Sequence, residues 1–260
     1  MDWGLSNRIN RIFNKETGRT VMLAVDHGYF LGPISGLETP SKTVTPLIEY
    51  ADSLMLTRGI LRTSVKPDNN IPIVLRVSGG TSILDEDLSN EGITTSIKEA
   101  VRLNASAVAL SIFVGAPNEK ETLLNLAKLV DEAEEYGIAV LAVTAVGKNM
   151  VRDVRYLALA CRIAAEIGAH IVKTYYCEEF EKVIESCPVP IVIAGGKKLP
   201  EEEAFKLAYN AIQKGAKGVD MGRNIFQSEY PVAAMKTIKA IVHNGIGLEE
   251  ACALFNKLKK

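Results

Sequence analysis

Short apolar runs alternate with stretches of helical periodicity about eight times along this chain, and few architectures accept that pattern. The runs are TVMLAV from Thr20, SLMLT from Ser53, IPIVLRV from Ile71, AVALSIF from Ala107, IAVLAVTAV from Ile138, IVKTYY from Ile171, PVPIVIAGG from Pro188 and KGVDMG from Lys217. They are apolar almost throughout, as parallel strands covered on both faces must be, and parallel strands need a crossover helix between each pair. Glu119 to Tyr136 is the clearest amphipathic helix, with Leu123, Ala127, Val130 and Ala133 on one broad face. A second helix is framed by Asp153 as N-cap and Gly168 as stop, and TPLIEYA from Thr45 reads as another. The expected fold is an α/β (β/α)8 TIM barrel. A doubly wound open sheet shares the local pattern, but the count near eight and the polar residues at successive strand ends favour the barrel.

At 260 residues the chain has the length of one barrel domain. The expected arrangement over 1–260 is one domain, with a short N-terminal capping helix in SNRINRIF and a C-terminal helical extension from Leu248 to Leu258. A net charge of -1 gives no electrostatic footprint for nucleic acid or an anionic membrane, and no apolar run approaches the roughly 20 residues of a membrane helix. Cys161, Cys177, Cys187 and Cys252 form no CxxC, and His27, His170 and His243 form neither HxH nor HExxH. Free thiols, a cytoplasmic location, no metal site and a small-molecule partner are therefore expected.

Barrel sites lie at the C-terminal ends of the strands. Those ends carry Asp26 and His27 after the first strand, Arg58 after the second, Ser78 after the third, Lys173 on the sixth, Gly195 and Gly196 after the seventh, and Gly222 and Arg223 after the eighth. Lys173 is the unusual one. Burial disfavours the ammonium form and can leave a neutral amine able to act as nucleophile, although a lysine at a strand end can also snorkel to water. Lys148, Lys197 and Lys198 sit in glycine-flanked loops where water keeps them charged, whereas Lys173 follows Ile171 at strand spacing and should point inward.

Asp26 alone reads as a turn former and His27 alone as a structural imidazole; beside an interior lysine they make an acid/base set. Gly195, Gly196, Gly222 and Arg223 occupy the two loops that most often bind phosphate in barrels, where backbone N–H groups, the following short helix and a guanidinium fork meet an anion. Tyr175 and Tyr176 read as rim aromatics, and Cys177, with no basic neighbour, as an inert thiol.

VDHG, IVKTYY, PIVIAGGKKLP and GVDMGRNIFQ resemble the archaeal-type class I aldolase family, which the sequence matches along nearly its whole length, and DWGLSNRINRIFN, MLTRGILR and AVTAVGKNMVRD resemble one branch of it. The resemblance implies a (β/α)8 barrel in large homo-oligomers, typically decamers. It implies Lys173 as the Schiff-base lysine, Asp26 as the acidic residue beside it, and Gly195, Gly196, Gly222 and Arg223 as the phosphate loops. The fructose-bisphosphate aldolases of the family carry a tyrosine acid in a WxYPRG-like segment after strand five. Here Val143 to Met150 read VTAVGKNM, without tyrosine. That departure, with the other blocks, points to a thiolase branch that uses coenzyme A as co-substrate, with no bound cofactor, on a phosphorylated ketone. An aldolase on another phosphorylated ketose and a non-catalytic phosphate-binding barrel are the alternatives.

Overall fold

The computed structural model describes residues 2–146 and 151–259. Eight parallel strands close into a barrel in chain order: β1 (Thr20–Ala24), β2 (Ser53–Thr57), β3 (Ile73–Arg76), β4 (Ala107–Ile112), β5 (Ala139–Thr144), β6 (Ile171–Thr174), β7 (Ile191–Ala194) and β8 (Gly218–Met221). The last strand pairs back onto the first, with Thr20 opposite Gly218 and Met22 opposite Asp220. An open doubly wound sheet would leave two free edges; this sheet has none.

Strand residues divide by parity. Met22, Ala24, Met55, Val74, Leu141 and Ile171 are among those that fill the lumen, while their neighbours Val21, Leu23, Leu54, Leu75, Val140 and Val172 pack outward under the helices. Both faces are therefore apolar, which is why the strands show no alternation in sequence. The N-terminal helix Trp3–Ile12 is capped by Asp2, whose Oδ1 accepts from the Leu5 amide at 2.6 Å. Its Leu5 and Ile12 pack with the lumen residues, against the end of the barrel opposite the strand C-termini.

Following the inward parity upward, apolar side chains give way to polar ones. Two residues beyond Ala24 is Asp26, beyond Val74 is Arg76, beyond Ala109 is Ser111 and beyond Ile171 is Lys173; all four are buried. Asp220 on β8 completes this polar layer.

Local departures from the sequence expectation have physical causes. TPLIEYA is not a helix: the chain makes a helix at Pro40–Val44 and a single 3-10 turn at Ile48–Tyr50. Pro46 lacks the N–H a continued helix needs, whereas Pro40 occupies the first turn, where proline is tolerated. The helix Arg58–Ser64 follows β2 directly and was not foreseen, nor was a two-residue ribbon pairing Ser78–Gly79 with Gly92–Ile93. Among the described residues no helix is long and apolar enough to cross a membrane.

Candidate active site

The polar layer forms the floor of a cavity of about 530 Å³ at the C-terminal mouth, a size suited to a small metabolite. Asp26, His27, Lys173, Gly195, Gly196, Gly222 and Arg223, singled out from sequence at the ends of four strands, all line it. Arg58 does not. It is exposed and borders a separate hollow with Thr57, Gly59 and Thr94, because the helix that begins at Arg58 turns it away from the lumen.

Lys173 is 8% exposed, so its amine does not snorkel to the surface. Nζ lies 2.8 Å from Asp220 Oδ2, an ion contact outside hydrogen-bond geometry, and 3.6 Å from Met55 Sδ. Asp220 is fully buried and neither carboxylate oxygen has a hydrogen-bond partner. Burial raises its pKa above the ordinary carboxylate value, with Lys173 opposing.

Asp26 is the opposite case. Burial pushes its pKa upward, but Arg76, then Lys173 and His27, outweigh that and hold it below the ordinary value. Arg76 Nε donates to Asp26 Oδ2 at 3.0 Å, and its Nη1 donates to Ser111 Oγ at 2.8 Å and to Ser78 Oγ at 3.3 Å. Ser78 in turn donates to Glu91 at 2.7 Å, and the Tyr29 hydroxyl donates to the same carboxylate at 2.6 Å. Asp26 is thus a fixed carboxylate in a braced network and does not rest as an acid. His27, whose Nδ1 is 3.9 Å from Asp26, has its pKa lowered by burial to about 4, so the imidazole is neutral near pH 7. Its Nδ1 is buried without a partner.

The two glycine loops are tied together. Asn224 Nδ2 donates to the Gly195 carbonyl at 2.7 Å while its Oδ1 accepts from the Leu199 amide at 2.7 Å. Gly196 adopts a left-handed φ of 71° beside open space, and a Cβ at Gly222 would lie 2.3 Å from the Ala24 carbonyl oxygen and 2.5 Å from His27 Cε1. Arg223 lines the cavity, and its Nε is buried with no hydrogen-bond partner. The helix after Gly222 is a single turn, Arg223–Phe226.

Of the other lysines, Lys197 lines the cavity, Lys198 pairs with Glu201 at 2.8 Å, and Lys148 lies outside the described residues. Tyr175 stacks under the Arg152 guanidinium at 3.7 Å on the cavity wall, and Tyr176 packs against Phe180. Burial raises the pKa of the Cys177 thiol, which lowers its nucleophilic fraction. Arg76, Glu91, Tyr29 and Asp220 escaped the sequence reading. Strand parity carried the signal for two of them, since Arg76 and Asp220 stand at inward positions of apolar strands.

Residues 20–228 match the family model described as DeoC/LacD family aldolase. The chain belongs to that family. This DeoC/LacD aldolase is an enzyme whose relatives include a protein of Escherichia coli (strain K12) named 3-hydroxy-5-phosphonooxypentane-2,4-dione thiolase. The two are 56% identical over 256 residues, spanning 98% of this chain and 88% of the relative. A protein of the same name from Photorhabdus laumondii is 55% identical with the same coverage. Among solved structures, an archaeal fructose-1,6-bisphosphate aldolase, described with its catalytic lysine covalently bound to the carbinolamine intermediate of the substrate, superposes with a TM-score of 0.83 at 26% identity. That alignment covers 92% of this chain and 99% of the other. An aldolase from Slackia heliotrinireducens, at TM-score 0.85 and 18% identity over 98% of this chain and 90% of its own, shares the fold of this DeoC/LacD aldolase.

Proposed function

We propose that the enzyme is a Schiff-base thiolase that cleaves 3-hydroxy-5-phosphonooxypentane-2,4-dione with coenzyme A, giving dihydroxyacetone phosphate and acetyl-CoA. The observation that carries this reading is the buried Lys173 amine in a cavity that is also lined by the braced glycine-loop pair with Arg223. Relatives of that name at more than half identity support the choice of substrate. The reaction would belong to breakdown of phosphorylated autoinducer-2 in the cytoplasm, within a homo-oligomer of decamer size.

Lys173 forms an iminium with the carbonyl next to the phosphorylated carbon. The coenzyme A thiolate adds to the acetyl carbonyl, the bond between that carbon and the hydroxyl-bearing carbon breaks, and its electron pair moves into the iminium as an enamine. Protonation of the enamine carbon and hydrolysis then release dihydroxyacetone phosphate. Because Arg76 keeps Asp26 ionised, the proton reaches the enamine through His27 or water, with Asp26 offering a nearby negative charge to the iminium. The glycine loops and Arg223 hold the phosphate, so that remote binding energy orients the reacting carbons.

No tyrosine follows β5 from Val143 to Met150, and the Tyr29 hydroxyl is engaged with Glu91, so the phenolic acid of aldol cleavage has no counterpart on that strand end. Coenzyme A dependence is the test. Product formation from the dione should require coenzyme A and yield equal amounts of the two products; equal turnover without it would replace thiolysis by retro-aldol cleavage. Arg223→Ala should raise KM for the dione on the order of 100-fold, the scale of a lost charge-assisted phosphate contact, and change kcat far less. A drop confined to kcat would contradict the phosphate role.

A further inference from the structure

Lys173 touches one carboxylate among the described residues, and it is Asp220, not Asp26. Asp26 has Arg76 as its partner, in a network that extends through Ser78, Ser111 and Glu91. Asp220 has nothing of the kind. Its side chain is fully buried, and apart from the 2.8 Å contact with Nζ both of its oxygens are without partners. Buried polar atoms are nearly always hydrogen-bonded, so a carboxylate left bare beside a reactive amine calls for a reason.

The chemistry of imine formation supplies one. A lysine held as an ammonium must lose a proton before Nζ can add to a carbonyl, and the resulting carbinolamine must gain a proton at oxygen before water can leave. Met55 Sδ, the other near neighbour of Nζ, is too weak a base for either step.

We propose that Asp220 is the proton carrier for Lys173, an inference that rests on the imine reading of the site. Oδ2 takes one proton from the ammonium as the Nζ–carbon bond forms, and a second Nζ proton passes to the carbonyl oxygen, giving the neutral carbinolamine. Asp220 returns its proton to the carbinolamine hydroxyl; the carbon–oxygen bond breaks, water departs, and Asp220 is again a carboxylate, now facing the iminium cation. Hydrolysis of the product iminium runs the same steps backwards. The direction in which burial moves Asp220 suits a group that takes and gives a proton, while Asp26 keeps its charge throughout. Two carboxylates of the polar layer thus divide the work: Asp26 is a fixed charge held by Arg76, and Asp220, in contact with Lys173, carries the proton.

The test uses dihydroxyacetone phosphate and no coenzyme A. Imine formation and hydrolysis exchange the ketone oxygen with solvent, so in 18O-water the wild-type enzyme should label it rapidly, beyond the exchange of the free ketone. Absence of enzyme-dependent exchange in the wild type would overturn the imine reading itself. With exchange present in the wild type, Asp220→Asn should slow it on the order of 100-fold or more while leaving competition by inorganic phosphate unchanged. Exchange at the wild-type rate in Asp220→Asn would overturn the proton-carrier role alone. If Asp220→Asn does not fold, Asp220→Ala with added formate decides. Slow exchange restored by formate supports the role, and slow exchange that formate leaves unaltered, or exchange at the wild-type rate, contradicts it.

Discussion

Lys173→Ala is expected to lower turnover of the phosphorylated dione by at least about 10⁴-fold, the scale seen when a covalent nucleophile is removed. In the proposed mechanism the amine supplies the electron sink for carbon–carbon cleavage, and Lys197, the other lysine on the cavity wall among the described residues, lies in the loop after β7. The variant should remain folded. Removing one partner of a buried ion pair is costly when the other stays charged, but the raised pKa of Asp220 lets its carboxyl take up a proton instead. Steady-state assays with thermal melts separate the two effects, and an active Lys173→Ala enzyme would overturn the mechanism.

Arg76→Met should have the largest effect on stability, about 3–5 kcal/mol, because it strands the buried Asp26 and Glu91 carboxylates without their cation. For a chain of this size that is a fall in Tm on the order of 10 °C. The pH dependence should also change sign. In the wild type the lowered pKa of Asp26 adds stability that is present above its unfolded value near 4 and is lost as pH falls through the folded value. Without Arg76 the same carboxyl titrates above its unfolded value, so the variant should lose stability as pH rises from about 4 toward 7. Denaturant unfolding across that range measures both. A loss under about 1 kcal/mol would mean that the network around Arg76 is not what holds Asp26 ionised.

Much of this architecture was legible in sequence because the barrel repeats one local rule. Each strand is apolar on both sides, and on β1, β3, β4 and β6 the inward position above the apolar layer is polar, so Lys173 could be assigned to the lumen from Ile171 alone. Gly195, Gly196, Gly222 and Arg223 were legible because glycine is conspicuous where backbone crowds against backbone, as Gly222 does against Ala24. Arg58 misled because a polar residue at a strand end reads the same whether the next helix turns it inward or outward. Arg76 and Asp220 were missed for the complementary reason: in sequence the apolar runs continue past both, so attention to the run ends passes over them, and only the strand register brings Asp220 beside Lys173, two strands away. The joining of Ser78 to Glu91 depends on a two-residue ribbon that leaves no periodic trace.

The central claim is that Lys173 forms an imine with the phosphorylated ketone. Borohydride reduction in the presence of dihydroxyacetone phosphate, followed by peptide mass spectrometry, tests it without coenzyme A or any assumption about the acetyl step. The expected result is substrate-dependent inactivation with a stable adduct on the peptide that contains Lys173. An enzyme that stays active and unmodified, or an adduct on Lys197 with Lys173 intact, would contradict it.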